Sequence, residues 1–211
     1  MRLDLKENVE YPFSDPEWVA KLLKLSLCQL LGITAPIMAG YQLKVIREAA
    51  QGEDSKLPDL EDYGGLWIKG FVFALILCAL MLIPTLGLGA VAVGGVMALG
   101  DNGAGAAIAV GMTVMIFIAI FLVTLLIPAL TLRYAMTGSA SSLFDVGAAI
   151  SDMKQGPADY AVIWLVPFAG QMIAGLAGAT GVGLLLLFPI TVLIMIIQGR
   201  MLGNYYRAYF E

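Results

Sequence analysis

Reactive side chains are scarce in this sequence, and their types exclude more chemistry than they suggest. Among its 211 residues there is no histidine. The usual imidazole ligand for zinc or haem iron and the commonest general base are therefore missing. A Ser/His/Asp or Cys/His catalytic arrangement cannot be assembled. Cys28 and Cys78 lie far apart in apolar segments and read as small buried hydrophobes, neither a disulfide framework nor a metal knuckle. No phosphate-binding glycine pattern of the Walker or dinucleotide type is present. The acids Glu53, Asp54, Asp59, Glu61 and Asp62 crowd one short stretch, but their spacing matches no calcium loop and reads as a solvated connection. Neither a cofactor nor a metal site is expected, and the chain reads as non-enzymatic.

The polar groups within apolar segments are few: Gln29, Thr34, Thr113, Thr124, Gln171 and Thr191. No acid or base stands among them, which argues against proton or ion coupling. Interhelical hydrogen bonding is their plain role. A small polar cavity lined by Gln29, Arg133 and Gln171 is the alternative that would suit a transporter or channel. Small residues are better organised. Ala90, Gly94 and Ala98 recur every fourth position, as do Gly170, Ala174 and Gly178. Such stripes let helix backbones approach closely. They either close the bundle on itself or receive a partner's helices.

The elements carrying these residues are set by hydropathy. The chain is 60% hydrophobic and 13% charged, against roughly 25% charged in soluble domains. Between Phe71 and Leu132 the one formal charge is Asp101. That stretch is about three times the roughly 20 residues needed to cross a bilayer. It is cut at Gly100-Asp101-Asn102-Gly103, giving two spanning helices over 67–99 and 104–132. Two more are expected over 160–179 and 183–199, separated by a Gly-Ala-Thr-Gly link. The class is all-α, a single polytopic membrane bundle with four certain transmembrane helices.

The N-terminal part is less regular. A polar tail over 1–16 alternates charges and lacks a signal peptide's apolar core. Asp15-Pro16-Glu17 reads as the start of a helix that carries Lys21 and Lys24 on one face. Gly32 and Pro36 break the helix over 17–50, which is either a re-entrant hairpin or a fifth span. Amphipathic segments lying at the headgroups are expected within 51–66 and over 142–155. The segment 200–211 reads as an aromatic tail. Pro36 to Arg47 and Pro189 to Arg200 share one spacing, with Pro128 before Arg133-Tyr134 a third variant, so a degenerate internal repeat is expected.

Ile127-Pro128-Ala129-Leu130-Thr131-Leu132-Arg133-Tyr134, Gly156-Pro157-Ala158-Asp159-Tyr160 and Gly199-Arg200-Met201-Leu202-Gly203-Asn204-Tyr205-Tyr206-Arg207, with Gly40-Tyr41 and Val45-Ile46-Arg47 before them, form a set of spaced motifs. In these the chain resembles an uncharacterised prokaryotic membrane family, the domain of unknown function numbered forty-thirteen. The resemblance implies a polytopic protein of the bacterial or archaeal inner membrane and carries no activity with it.

The expected partners are the lipid bilayer and other membrane subunits or a second copy. Nucleic acid is not expected, because no basic runs occur. Lysine and arginine mark cytoplasmic loops. They fall in 44–69, 133–154 and 200–207, whereas the Asp101 and Ala177–Gly183 connections have none. All three basic segments, and with them the C-terminus, are thus assigned to the cytoplasmic side. In a background lacking Cys28 and Cys78, Lys56→Cys and Lys154→Cys are expected to react with a membrane-impermeant maleimide only after permeabilisation. Labelling on intact cells would contradict the orientation.

Overall fold

A computed structural model describes residues 3–53, 55–99, 103–179 and 183–211. The Asp101 connection, the Thr180-Gly181 part of the last link, and Asp54 lie outside the described residues. Helices α1 (Leu5–Glu10), α2 (Trp18–Leu30), α3 (Ala35–Ala50), α4 (Tyr63–Leu99), α5 (Gly103–Thr137), α6 (Val146–Gln155), α7 (Pro157–Gly178) and α8 (Gly183–Phe210) occur in that order, with 3-10 turns at Tyr11–Ser14 and Ala140–Phe144. No strand occurs among the described residues.

Four helices are long and apolar enough to cross a membrane: Tyr63–Ala98, Gly105–Thr137, Pro157–Gly178 and Leu186–Phe210. These answer to the four runs read from hydropathy. In the most apolar window of the first, 6% of residues are buried, and in that of the second, none. Apolar surface left out in this way needs hydrocarbon around it.

Contacts divide the chain into two compact units, 1–74 with 128–211, and 75–127. In the first unit, α2 and α3 form a hairpin. Gly32 takes a positive φ of 63° at its tip, and Pro36 sits in the first turn of α3. Lys21 on α2 and Tyr41 on α3 reach the adjacent carbonyls of Leu57 and Pro58. Residues on either side of the break therefore end at one place, and the chain doubles back. At about 1.5 Å per residue, the 13 residues of α2 extend for roughly 20 Å.

The hairpin packs on α8. Gln42 donates to Gln198 at 3.2 Å, Gly199 meets Val45, and a Cβ on Gly203 would come within 2.5 Å of Ala49 Cβ and the Ile46 carbonyl. Contacts advance together along both chains, so α3 and α8 run parallel. The repeat partners Arg47 and Arg200 thus stand on neighbouring helices. On the other side of α3, a Cβ added to Gly40 would strike the Leu66 carbonyl, and one on Gly70 the Pro36 carbonyl. The core of this unit gathers Leu25, Tyr41, Val45, Leu57, Val192 and Ile196.

Three expectations change. The stretch within 51–66 is not one amphipathic segment at the headgroups: its described residues up to Asp62 form no helix, and α4 begins at Tyr63. Leu57, 1% exposed, is drawn into the core as Lys21 and Tyr41 hold the Leu57 and Pro58 carbonyls. Residues 200–210 of the tail are the last part of α8, since Met201, Leu202 and Tyr205 continue its buried face. The segment over 142–155 is the end of a 3-10 turn followed by α6, and of its apolar residues only Leu143 and Ala149 are fully buried, while Phe144, Val146 and Ile150 face outward.

In the second unit, Gly95 on α4 approaches Ile108 on α5, where an added Cβ would lie 2.8 Å from Cγ2. Thr85 and Thr113 donate to carbonyls one turn back, of Met81 and Ala109. Within the first unit Thr191 does the same to Leu187. These hydroxyls bond within their own helices, not between helices.

Overpacking a helix crossing costs about 1–3 kcal/mol. Gly203→Val is therefore expected to lower the unfolding midpoint in detergent clearly, whereas Gly111→Ala, with open space around its Cα, should leave it unchanged. Equal effects would contradict the α3–α8 crossing.

Candidate functional site

The two small-residue stripes have different fates. Gly170 faces Ile194, Ala174 is 1% exposed, and a Cβ added to Gly178 would lie 3.2 Å from Leu187. This stripe seats α8 on α7. On α4, Ala90, Gly94 and Ala98 are all exposed, and an added Cβ at Gly94 meets nothing within 4 Å. Packing within the second unit uses Gly95 instead.

The trio Gln29, Arg133 and Gln171 is not brought together. Gln171 is exposed on α7, and Gln29 is half-buried with Oε1 lacking a partner among the described residues. Arg133 is held by Asp152 at 2.8 Å and Asp145 at 3.4 Å. The cavity beside it is lined by Met136, Thr137, Tyr206 and Phe210 and includes neither glutamine.

Charged groups of the first unit instead join its segments. Lys21, 6% exposed, donates to Asp15 at 2.8 Å, Asp59 at 3.0 Å and the Leu57 carbonyl. It does not share an exposed face with Lys24, which alone points out. Burial raises the Asp15 carboxyl, but the Lys21 ammonium and the Glu17 amide together bring it below the usual carboxylate value. Burial likewise lowers Lys21, and its bonds to Asp15 and Asp59 outweigh that and leave it raised.

Three arginines bond segments distant in sequence. Arg47 donates twice to the Ala135 carbonyl, Arg133 reaches Asp152, and Arg200 reaches the carbonyl and carboxylate of Glu7 while stacking on Tyr11 at 4.4 Å. The repeated arginines thus share a structural task. The tyrosines add to it: Tyr205 accepts from the Gly156 amide and donates to the Asp152 carbonyl, and Tyr160 accepts from the Ala129 amide beside Pro128. Lys21 was legible only as part of an amphipathic pattern. Its acids lie 6 residues before and 38 after it, which no local spacing reveals.

An open cavity of about 540 Å³ is bordered by α3, the start of α4, the end of α5 and the loop after α3. Lys44, Arg47 and Lys69 line it together with Glu48, Glu53 and Asp62. Lys44 donates to the Asp59 carbonyl and lies 3.8 Å from Glu48, and Asp62 caps α4 by accepting from the Gly65 amide. Burial raises the Glu48 carboxyl, against the lowering effect of Lys44. Among the described residues, no three His, Cys, Asp or Glu side chains converge as a metal site.

Four helices able to cross a membrane, with charged segments cross-tied within the first unit, define a polytopic helical membrane protein. The chain belongs to the family described as a protein of unknown function (DUF4013), which it matches over residues 25–182. The match includes the Gly40-Tyr41 and Pro128 motifs and ends before Gly199–Arg207. No curated protein and no solved structure matches the chain.

Removing one partner of a buried ion pair costs about 3–5 kcal/mol. Lys21→Met is expected to destabilise the protein toward that range in thermal unfolding, and Lys24→Met is not. Asp15 contributes stability above its unfolded value near 3.8, lost as pH falls through the lower folded value. Lys21 contributes fully below 10.5, and that contribution is lost as pH rises through its higher folded value. The Lys21→Met penalty should therefore be level between these limits; a penalty that vanishes near neutral pH contradicts the pairing.

Proposed function

We propose that this is a non-catalytic accessory or scaffold subunit of the bacterial or archaeal inner membrane. Its C-terminus is cytoplasmic, and α2–α3 enters the bilayer as a re-entrant hairpin without crossing it. The observation that carries the reading is the outward Ala90, Gly94 and Ala98 face of α4. The same spacing on α7 receives a helix presenting large apolar side chains, Ile194 and Leu187. By that example, the complement of the α4 face is a large-residue face, and we assign it to a transmembrane helix of another membrane protein. Close backbone approach and van der Waals contact supply such association in lipid.

In mild detergent, the wild-type chain is expected to migrate in a complex with a distinct membrane subunit. Gly94→Leu should release it, and Gly111→Leu on α5 should not. A monomer, or a complex of this chain alone, in the wild type would contradict the reading. A small transporter is the second reading, favoured by the charged cavity and the parallel α3–α8 repeat pair. Substrate-dependent flux in liposomes containing the pure chain is the result that would carry it.

A further inference from the structure

The charged cavity in the first unit has a composition that selects a ligand whether or not the chain is a scaffold subunit. At about 540 Å³ it falls within the roughly 300–1,000 Å³ of small-molecule sites. Its three cations and three carboxylates cancel, so the wall as a whole favours neither an anion nor a cation. Some of these charges are already engaged. Lys44 is held by the Asp59 carbonyl and Glu48, and Asp62 is held by the start of α4. Arg47 commits Nε and Nη2 to the Ala135 carbonyl, and its Nη1 has no acceptor among the described residues. The Lys69 ammonium and the Glu53 carboxylate also lack partners among the described residues.

What remains on offer is two cations, Arg47 and Lys69, and one carboxylate, Glu53, in the same lining. The floor is apolar: Leu43, Leu66 and Tyr134 are each at most 6% exposed. The depth is also set. Asp62, Leu66 and Lys69 belong to the first two turns of α4 or just precede it, and Tyr134 and Ala135 to the last turn of α5. Both helices are long enough to span, so the cavity lies where their apolar runs give way to polar chain, at headgroup level.

We infer that this cavity binds a zwitterion that joins a phosphate to a primary ammonium, with the phosphate on Arg47 and Lys69 and the ammonium on Glu53. Two sources supply that chemistry, an aminophospholipid headgroup in the same leaflet and a free aminoalkyl phosphate. The free Nη1 of Arg47 can donate to a phosphate oxygen, and Lys69 supplies a second positive charge in the same cavity. The carboxylate is what separates this site from a general anionic-lipid patch.

The full-length chain, purified in detergent and stripped of lipid, is titrated in a calorimeter with short-chain phosphatidylethanolamine, short-chain phosphatidylglycerol and free phosphoethanolamine. Saturable binding of phosphatidylethanolamine, tighter than of phosphatidylglycerol, is expected. Charge-assisted hydrogen bonds are the strong ones, so Lys69→Ala and Glu53→Gln should each weaken binding by about tenfold or more. Both side chains are exposed, and neither change disturbs a packed contact. Lys154→Ala, outside the cavity, should leave affinity unchanged. Glu53→Lys should turn the preference toward phosphatidylglycerol. Free phosphoethanolamine binding as tightly as the lipid keeps the site and makes its ligand soluble. No binding of either zwitterion, equal or tighter binding of phosphatidylglycerol by the wild type, or indifference to Glu53→Gln would overturn the inference.

Discussion

Hydrocarbon offers no hydrogen bonds, and that constraint governs the whole chain. A helix in lipid satisfies its own backbone, and its side chains need only be apolar. The long helices α4 and α5 therefore need few packing partners over much of their length. Their threonines bond to their own turns, and large side chains such as Ile83, Met97 and Phe117 stay exposed. Buried polar groups have no such freedom, and in the first unit Lys21, Arg47 and Arg200 are paired across segments distant in sequence.

That pairing is carried by arginine and tyrosine. Arg47, Arg133 and Arg200 each reach a carbonyl or carboxylate of another segment. Tyr41, Tyr160 and Tyr205 each bring a hydroxyl to a backbone group elsewhere. The parallel α3–α8 pair, joined by Gln42 and Gln198 and brought close by Gly203, sets two of these repeated stretches side by side. These residue types thus do the same work in each stretch, fastening one segment to another. The open face of α4 stands out because this fastening does not use it.

Much of this was legible in the sequence. The four apolar runs, the Gly32–Pro36 break and the α7 stripe depend on local composition and spacing, and each has its counterpart in a described element. The position of Leu57 was not legible, because its burial is decided by Lys21 and Tyr41 reaching in from other helices. The continuation of α8 to Phe210 was hidden because aromatic and polar residues suit an interfacial tail and an amphipathic helix equally. The cavity trio of Gln29, Arg133 and Gln171 failed because residue type alone does not place three distant helices. The cavity that does form draws on Lys44, Lys69 and Glu53, which read singly as solvated loop charges.

The central claim is that the apolar helices lie in lipid, and alkaline carbonate extraction of membranes tests it most directly. The chain is predicted to remain in the membrane pellet and to come free only with detergent. Its release into the carbonate supernatant would contradict the account.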